Sequence, residues 1–493
     1  MAATRACRWV TERMYDVLIR DALVFDGGDQ PGIRCDVALH DGRIAAIGQL
    51  DGDATQVIDA AGRALAPGFI DVHTHDDMEV LRNPHMRSKL SQGVTTVVVG
   101  NCGISASPVH IHGDVPDPMN LLGDAADFRY PDFASYRRAV EAAAPAVNVG
   151  ALVGHTALRQ NHMDRLDRAA SGEEIAAMRT QLRQSLAEGA LGLSSGLAYG
   201  SAFHAPSTEV AELAAELPAG GLYATHLRDE FAGILDAMEE AFDAARAPQA
   251  AVRVSHIKCA GIDNWGRSRE VLHSLETAAH TQDVACDCYP YAASASTLDL
   301  KQVTDAYDIL ITWSEPEPAQ GGRLLADIAA DWGVPLMDAA IRLQPAGAVY
   351  HCMDETDVRR ILVHPLTMIG SDGLPRDPRP HPRLWGTFPR VLGHYARDEA
   401  LFPLHTAIHK MTGLPASRFA LGARGFLRPG WCADLVLFDP ARVRDTASFH
   451  DPIRAAEGID AVWVNGQLAY DGSEVLARNG RFIAPEMAPT PPN

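Results

Sequence analysis

The segment Ala66-Pro-Gly-Phe-Ile-Asp-Val-His-Thr-His75 is a short apolar run that ends in two histidines. Its apolar part, Ala66–Val72, is the first of eight such runs, each followed by polar residues and then by a helical pattern. Buried strands that alternate with amphipathic helices are typical of a parallel α/β sheet, and eight of them predict a (β/α)8 TIM-like barrel. The other seven runs are Thr95–Val99, Val147–Val153, Ala190–Leu193, Gly221–Ala224, Ala251–Val254, Val284–Cys286 and Leu366–Ile369.

The pattern changes on both sides of this central region, which predicts a barrel over residues 68–420. Residues 14–67 alternate short β-rich runs with turn pairs, and residues 421–493 repeat that pattern, so we predict one small β-sandwich domain built from both chain ends. Residues 292–353 interrupt the alternation and are too long for an ordinary βα loop, which predicts an inserted lid over the barrel mouth. Residues 1–13 lack the apolar stretch of a signal peptide, and we expect a disordered extension there.

Composition excludes several classes of protein. The 493 residues carry a formal net charge of −20 and no basic patch, so a nucleic-acid partner is not expected. No run approaches the roughly 18 apolar residues that a membrane span requires. The eight cysteines are irregularly spaced and do not suggest a disulfide framework. These features favour a cytoplasmic protein that acts on a small molecule; its oligomeric state cannot be read from the sequence.

Side chains that bind metals or carry protons follow nearly every predicted strand. In such barrels the active-site groups come from the carboxyl ends of the strands. His73 and His75 are two residues apart on an extended chain, so both can point into the barrel mouth. One histidine in such a place is more often solvated or capped than a ligand, but several on one rim are difficult to explain in that way. The groups at the other strand ends are Cys102, His155, His226, His256, Asp287, Tyr289 and Asp372.

Several segments resemble known families. Pro67–His75 resembles the first-strand motif of the amidohydrolase superfamily of metal-dependent hydrolases, and Arg428–Asp439 resembles its closing β domain. That match extends from about Tyr15 to about Gly472. A narrower resemblance, to the zinc-dependent D-aminoacylases (N-acyl-D-amino-acid deacylases), rests on a set of motifs that stand in the family's order. These motifs are Gly100–Gly103, Thr225–Glu230, Ser255–Lys258, Asp287–Tyr291, Gly370–Gly373 and His381–Gly386.

The narrower resemblance implies one tightly held zinc and a weaker second metal position that shares Cys102. Thiolate and imidazole are zinc ligands, and three of them leave the open position of a catalytic site. Many amidohydrolases bridge two metals with a modified fourth-strand lysine; here that strand ends Gly192-Leu-Ser-Ser195, and Cys102 can substitute as the anionic ligand. The alternative for Cys102 is a small buried core residue. The implied tight ligands are Cys102, His226 and His256, and the second position lies near His73, His75 and Asp372.

The implied chemistry is amide hydrolysis. Zinc lowers the pKa of a bound water to roughly 7 and polarises the carbonyl oxygen. A carboxylate must then pass a proton to the departing nitrogen, and Asp372, after the eighth strand, is the candidate; its alternative is a turn or helix-capping aspartate. The substrate carboxylate requires donors, and the family motifs indicate Lys258, Tyr289 and Arg383, with Arg376 as a substitute for Arg383.

Specificity is expected to depend on the insertion. Leu298, Tyr350 and Met353 predict an apolar pocket for D-Met, D-Leu or D-Phe, whereas Lys301 or Arg376, if turned inward, would favour an acidic side chain such as D-glutamate. His155 is expected at most to support the site through hydrogen bonds. Two further alternatives stay open: a cyclic amidase of the same superfamily, and a non-catalytic scaffold that has lost its metal site.

Overall fold

The computed structural model describes residues 14–111 and 113–485, so the expected extension at 1–13 lies outside the described residues. Within these ranges eight parallel strands follow one another in a ring. The ring closes where Thr74, after the first strand, pairs with Gly373, after the eighth. The (β/α)8 prediction is therefore confirmed. The strands are β1 (Phe69–Asp71), β2 (Val94–Val99), β3 (Asn148–Ala151, continued by Val153–Gly154), β4 (Gly192–Gly196), β5 (Leu222–His226), β6 (Ala251–Val254), β7 (Val284–Cys288) and β8 (Thr367–Ile369).

Helices pack around this ring. Ile234–Arg246 shows why they form, since Ile234, Met238 and Phe242 recur at helical spacing and are all buried against the core. None of the helices in the described ranges is long and apolar enough to cross a membrane. Besides two helices of the insertion and four short 3-10 helices, the other helices of the described ranges are Glu79–Arg82, Arg87–Leu90, Phe133–Ala143, His155–His162, Gly172–Ala187, Ser207–Ala214, Ser268–Ala279, Glu355–Val363, Arg383–Arg390, the π-helical Val391–Asp398, Leu404–Met411 and Gly413–Arg418.

Both chain ends contribute to one branched β-sheet beside the barrel. The alternation of short apolar runs predicts separate strands at Tyr15–Ile19 and Ala22–Phe25, but Tyr15–Val24 is a single strand with a bulge beside Asp21, whose φ is 56°. One edge of this strand pairs first with Ala54–Asp59 and then with Ala64–Pro67, and the latter pairs with Leu435–Phe438 from the other chain end. The predicted β domain from two ends is confirmed, while its boundaries stay predictions. The other strands are Ile33–His40, Arg43–Gly48, Ile459–Val464 and Gln467–Tyr470.

The insertion is a separate small layer. Four strands form an antiparallel sheet that packs, with two helices, around its own apolar core. Side chains from the segment after β8 tie it to the barrel; for example, the Thr312 hydroxyl donates to the Asp377 carboxylate over 2.5 Å. The strands are Ser294–Thr297, Ile309–Ser314, Arg323–Leu324 and Ala346–Tyr350, and the helices are Leu325–Trp332 and Leu336–Leu343.

Candidate metal centre

The strand ends bring all six predicted metal ligands together in two groups that share Cys102. In each group the ligand atoms lie within 4.8 Å of one another. The Cys102 Sγ atom lies 3.2 Å from Nε2 of His73, in one group, and 3.3 Å from Nε2 of His256, in the other. All six are buried except His226, which is partly exposed. The first group is Cys102, His226 and His256; the second is His73, His75, Cys102 and Asp372.

The Gly100–Gly103 turn carries Cys102 into this position. Gly100, Cys102 and Gly103 all have positive φ angles, of 79°, 53° and 74°, so the chain turns sharply after β2. The Ser194 hydroxyl, on β4, donates to the Gly100 carbonyl and accepts the Gly103 N–H. A Cβ atom on Gly196 would lie only 2.1 Å from the Cys102 carbonyl oxygen, so β4 can approach the turn only through a glycine. The fourth strand thus supports the cysteine through Ser194 and Gly196.

Two further ligands have left-handed backbone conformations. His256 has a φ of 35° and Asp372 a φ of 47°. The His256 N–H donates to the Asp287 carboxylate over 3.0 Å, and the Asp372 N–H donates to the His73 carbonyl over 2.7 Å. Non-glycine residues adopt such angles only where the surroundings impose them, and these positions concentrate at functional sites.

Three of the four histidines have a protein partner for their other ring nitrogen. The Nδ1 atom of His73 lies 3.3 Å from Asp287, that of His256 lies 3.0 Å from Glu230, and that of His226 lies 3.4 Å from the Tyr199 hydroxyl. Such contacts orient an imidazole so that its remaining nitrogen faces a metal. The buried Nδ1 of His75 has no partner among residues 14–111 and 113–485.

The charges suit an anionic ligand set. Burial alone would raise the pKa of the Cys102 thiol, but the positive charges of His73 and His256 outweigh burial and hold that pKa well below its ordinary value. Burial would also raise the pKa of Asp372, and Arg383 and His256 reverse its effect, so the pKa of the carboxyl lies well below its usual range. A thiolate and a carboxylate therefore stand among imidazoles, which is a donor set that fits zinc.

Lys258, Tyr289 and Arg383, which are predicted to bind the substrate carboxylate, form the predicted substrate clamp. They differ in whether their donors already have partners. The buried Arg383 donates from one terminal nitrogen to Asp372 over 2.8 Å, while its Nε and its other terminal nitrogen have no partner in the described part of the chain. The buried Tyr289 hydroxyl also lacks a described partner, and the Arg383 Cζ atom lies 4.5 Å from the Tyr289 ring centre. Lys258 instead donates to Glu230 over 2.5 Å and lies 2.8 Å from Nδ1 of His256.

The residues proposed for specificity lie in or beside the insertion. Leu298, Tyr350 and Met353 are buried in its core. The Arg376 side chain pairs with Asp124, whereas the Lys301 Nζ atom lies 4.6 Å above the Phe203 ring. His155, outside both ligand groups, forms a buried pair with Glu209 at 2.9 Å.

The sequence gives no specific role to some residues that contact the ligands. Asp287 is one of the predicted strand-end groups, and Glu230 and Ser194 lie within the quoted motifs, but nothing in their spacing indicates which ligand each contacts. Tyr199 has no local signal, because its contact with His226 arises from the neighbouring positions of the loops after β4 and β5.

Comparison with known proteins adds independent information. The amidohydrolase family profile matches residues 56–470. The chain is 51% identical over 473 residues to a D-aminoacylase of Alcaligenes xylosoxydans xylosoxydans, with 95% of this chain and 98% of that protein covered. It is 49% identical over 474 residues to an N-acyl-D-aspartate deacylase of the same organism, with 95% of each covered. An N-acyl-D-glutamate deacylase of Bordetella bronchiseptica, complexed with zinc and a phosphonate inhibitor, superposes with a TM-score of 0.92 at 43% identity, covering 96% of this chain and 100% of that one.

Proposed function

The chain belongs to the amidohydrolase family, among the N-acyl-D-amino-acid deacylases, and we propose that it hydrolyses N-acyl-D-amino acids to a carboxylate and a free D-amino acid. The observation that carries the proposal is the Cys102–His226–His256 group, which adjoins Asp372 and the unpaired Nε and Nη1 donors of Arg383. A metal site beside a carboxylate, with free cationic donors next to it, matches an amide substrate that carries its own carboxylate. The close relatives named for three D-amino-acid deacylases support the same class.

We assign the tight position to Cys102, His226 and His256, and a weaker one to His73, His75, Cys102 and Asp372. Zinc in the tight position would polarise the amide carbonyl and supply hydroxide near neutral pH. We expect the second position to bind a metal more weakly, because no contact among the described residues fixes the Nδ1 side of the His75 ring.

The side chains of the protein transfer the proton and bind the substrate carboxylate. Asp372 takes a proton from the attacking water and delivers it to the departing amide nitrogen. Its carboxylate lies 3.2 Å from His75 Nε2 and 2.8 Å from Arg383, which keep it ionised and oriented. Arg383 and Tyr289 bind the substrate carboxylate with donors that lack partners within the described chain. Lys258 keeps its contact with Glu230 and donates to the substrate carboxylate through an ammonium hydrogen that does not point at Glu230.

We further propose a preference for apolar D-residues such as Met, Leu and Phe. Arg376 is held by Asp124 and so is not directed at the substrate, and the apolar set in the insertion flanks the clamp. The alternative, selectivity for N-acyl-D-glutamate, depends on Lys301, which among the described residues contacts the Phe203 ring and has no carboxylate partner. An incoming carboxylate would have to draw Lys301 away from that ring.

The test is hydrolysis of N-acetyl-methionine and N-acetyl-glutamate, each as separate D and L enantiomers, with metal analysis of the same sample. We expect D-selective release of amino acid, faster with methionine, and about one tightly bound zinc per chain. Faster turnover of the D-glutamate substrate would select the alternative. A 5-substituted hydantoin serves as the cyclic control: turnover of that ring alone would indicate a cyclic amidase, and neither zinc nor turnover would indicate a scaffold.

A further inference from the structure

Both ring nitrogens of the buried His381 side chain form hydrogen bonds to the backbone. Its Nε2 lies 3.0 Å from the carbonyl oxygen of Ala293, at the start of the insertion. Its Nδ1 accepts the backbone N–H of Arg383 over 3.0 Å. The ring is 3% exposed and packs edge-on against Tyr291 and Phe449, at centroid distances of 5.0 and 4.8 Å. Only the neutral tautomer with its proton on Nε2 makes both hydrogen bonds.

The helix that follows His381 contacts two other carbonyl groups, one in the insertion and one just before it. Arg383 donates to the Ala295 carbonyl over 3.2 Å, and Arg390 donates to the Pro290 carbonyl over 2.8 Å. Arg383 therefore contacts both the insertion and Asp372 through its Nη2 atom, while its Nε and Nη1 atoms are buried without a partner in the described ranges. The directions of these two unpaired donors depend on where the Arg383 backbone and the first strand of the insertion lie.

We propose that His381 is a positioning residue, whose imidazole holds the first strand of the insertion against the Arg383 backbone and so directs the unpaired guanidinium donors of Arg383 at the substrate carboxylate. This inference rests on the proposed function, because it concerns recognition of that carboxylate. The sequence motif His381–Gly386 singled out the residue but gave it no role. His381 acts through Arg383 and needs no contact with the reacting atoms.

The test measures discrimination between N-acetyl-D-methionine and its carboxamide, N-acetyl-D-methioninamide, which lacks the charge that Arg383 would bind. His381→Asn retains an acceptor for the Arg383 N–H but is too short to reach Ala293. We expect the ratio of the two kcat/KM values to fall about tenfold or more, mainly through KM for the acid, as a misdirected charge-assisted hydrogen bond predicts. Bound metal should be unchanged.

Two comparisons separate positioning from general damage to the fold. In an Arg383→Gln background, His381→Asn should have little further effect on the ratio, because the group through which it acts is gone. His351→Asn is the matched control: its ring packs on the same Phe449 at 4.8 Å, and it should keep the discrimination of the parent enzyme. Equal losses with acid and carboxamide, or an undiminished effect in the Arg383→Gln background, would overturn the proposal.

A readout without substrate keeps the two proposals distinct. Burial and the neighbouring charges of Arg383 and His351 hold the pKa of His381 well below its ordinary value, although Asp372 acts in the opposite direction. The ¹⁵N resonances that disappear in His381→Asn should therefore report a neutral, Nε2-protonated ring between about pH 6 and 8. A doubly protonated ring in that range would overturn the positioning role. If the ring shows the expected tautomer but the protein hydrolyses neither methionine substrate, the proposed function is overturned and the positioning of Arg383 by His381 is not.

Discussion

The two ligand groups share one sulfur atom but differ in what stands behind their other ligands. In the first group, His226 and His256 each have a second contact, from Tyr199 and Glu230. Of the two histidines in the second group, only His73 has one, from Asp287, and the His75 Nδ1 atom has none in the described chain. Because outer contacts fix the orientation of an imidazole before a metal arrives, we expect the two groups to bind a metal with different strength. The expected difference arises from the surroundings of the ligands as much as from their identity.

The largest expected effect comes from removing what the two groups share. Cys102→Ala should lose the tight metal and lower kcat/KM by about 10⁴-fold or more, since several kcal/mol of metal-derived stabilisation disappear with it. Metal analysis and kinetics on the same preparation check this. His73→Ala is the counterpart and should retain the tight metal. Full metal content in Cys102→Ala would remove the thiolate from the ligand set.

The next effect concerns the carboxylate between the two groups. Asp372→Asn keeps the shape but cannot accept a proton, so kcat should fall about 10²- to 10⁴-fold. The tight metal should stay bound, because Asp372 belongs to the second group alone. The measurement combines kcat with a zinc titration. Near-normal kcat in this variant would assign the proton transfer to another residue.

A smaller effect on metal affinity is expected from substitutions of the residues that contact the ligand histidines, and it should differ between the two groups. Glu230→Gln should weaken the tight position by about 10- to 100-fold in metal affinity. Asp287→Asn should weaken mainly the second position, by a similar factor, because the asparagine amide oxygen can still accept the His256 N–H while the charge beside His73 is lost. Competition between the metal-stripped protein and a chelator of known affinity measures both variants. If the two substitutions weaken the same position, the division into two groups is wrong.

The smallest effect concerns the support of the shared cysteine. Ser194→Ala leaves the Gly100 carbonyl and the Gly103 N–H without their side-chain partner, which should lower the free energy of unfolding by about 1–3 kcal/mol. It should also reduce tight metal affinity. Ser195→Ala is the neighbouring control, because its hydroxyl contacts Tyr223 and Thr225 instead and should affect stability alone. Denaturant titration and zinc titration measure the pair.

The sequence predicts the barrel because its strands are continuous apolar runs, and it predicts the ligands because the rim of a barrel gathers the strand ends. Val284–Cys286 and Ala251–Val254 fall within or on the observed strands for that reason. The contacts that support the ligands cannot be predicted in this way. Ser194 meets Gly100 across 94 residues, and only the curvature of the closed ring decides which side chains of neighbouring strands touch. The bulge beside Asp21 likewise depends on the three strands that pair with Tyr15–Val24.

The seam of the barrel has a consequence for biosynthesis. Asp71, just before the first pair of histidines, accepts the Ser371 N–H from a residue 300 positions later. A ribosome therefore delivers His73 and His75 long before it delivers the groups that lock them in place. Until β8 has emerged and closed the ring, the nascent chain lacks Asp372 and cannot assemble its second ligand group. The second ligand group can therefore form only after about three quarters of the 493 residues have been synthesised.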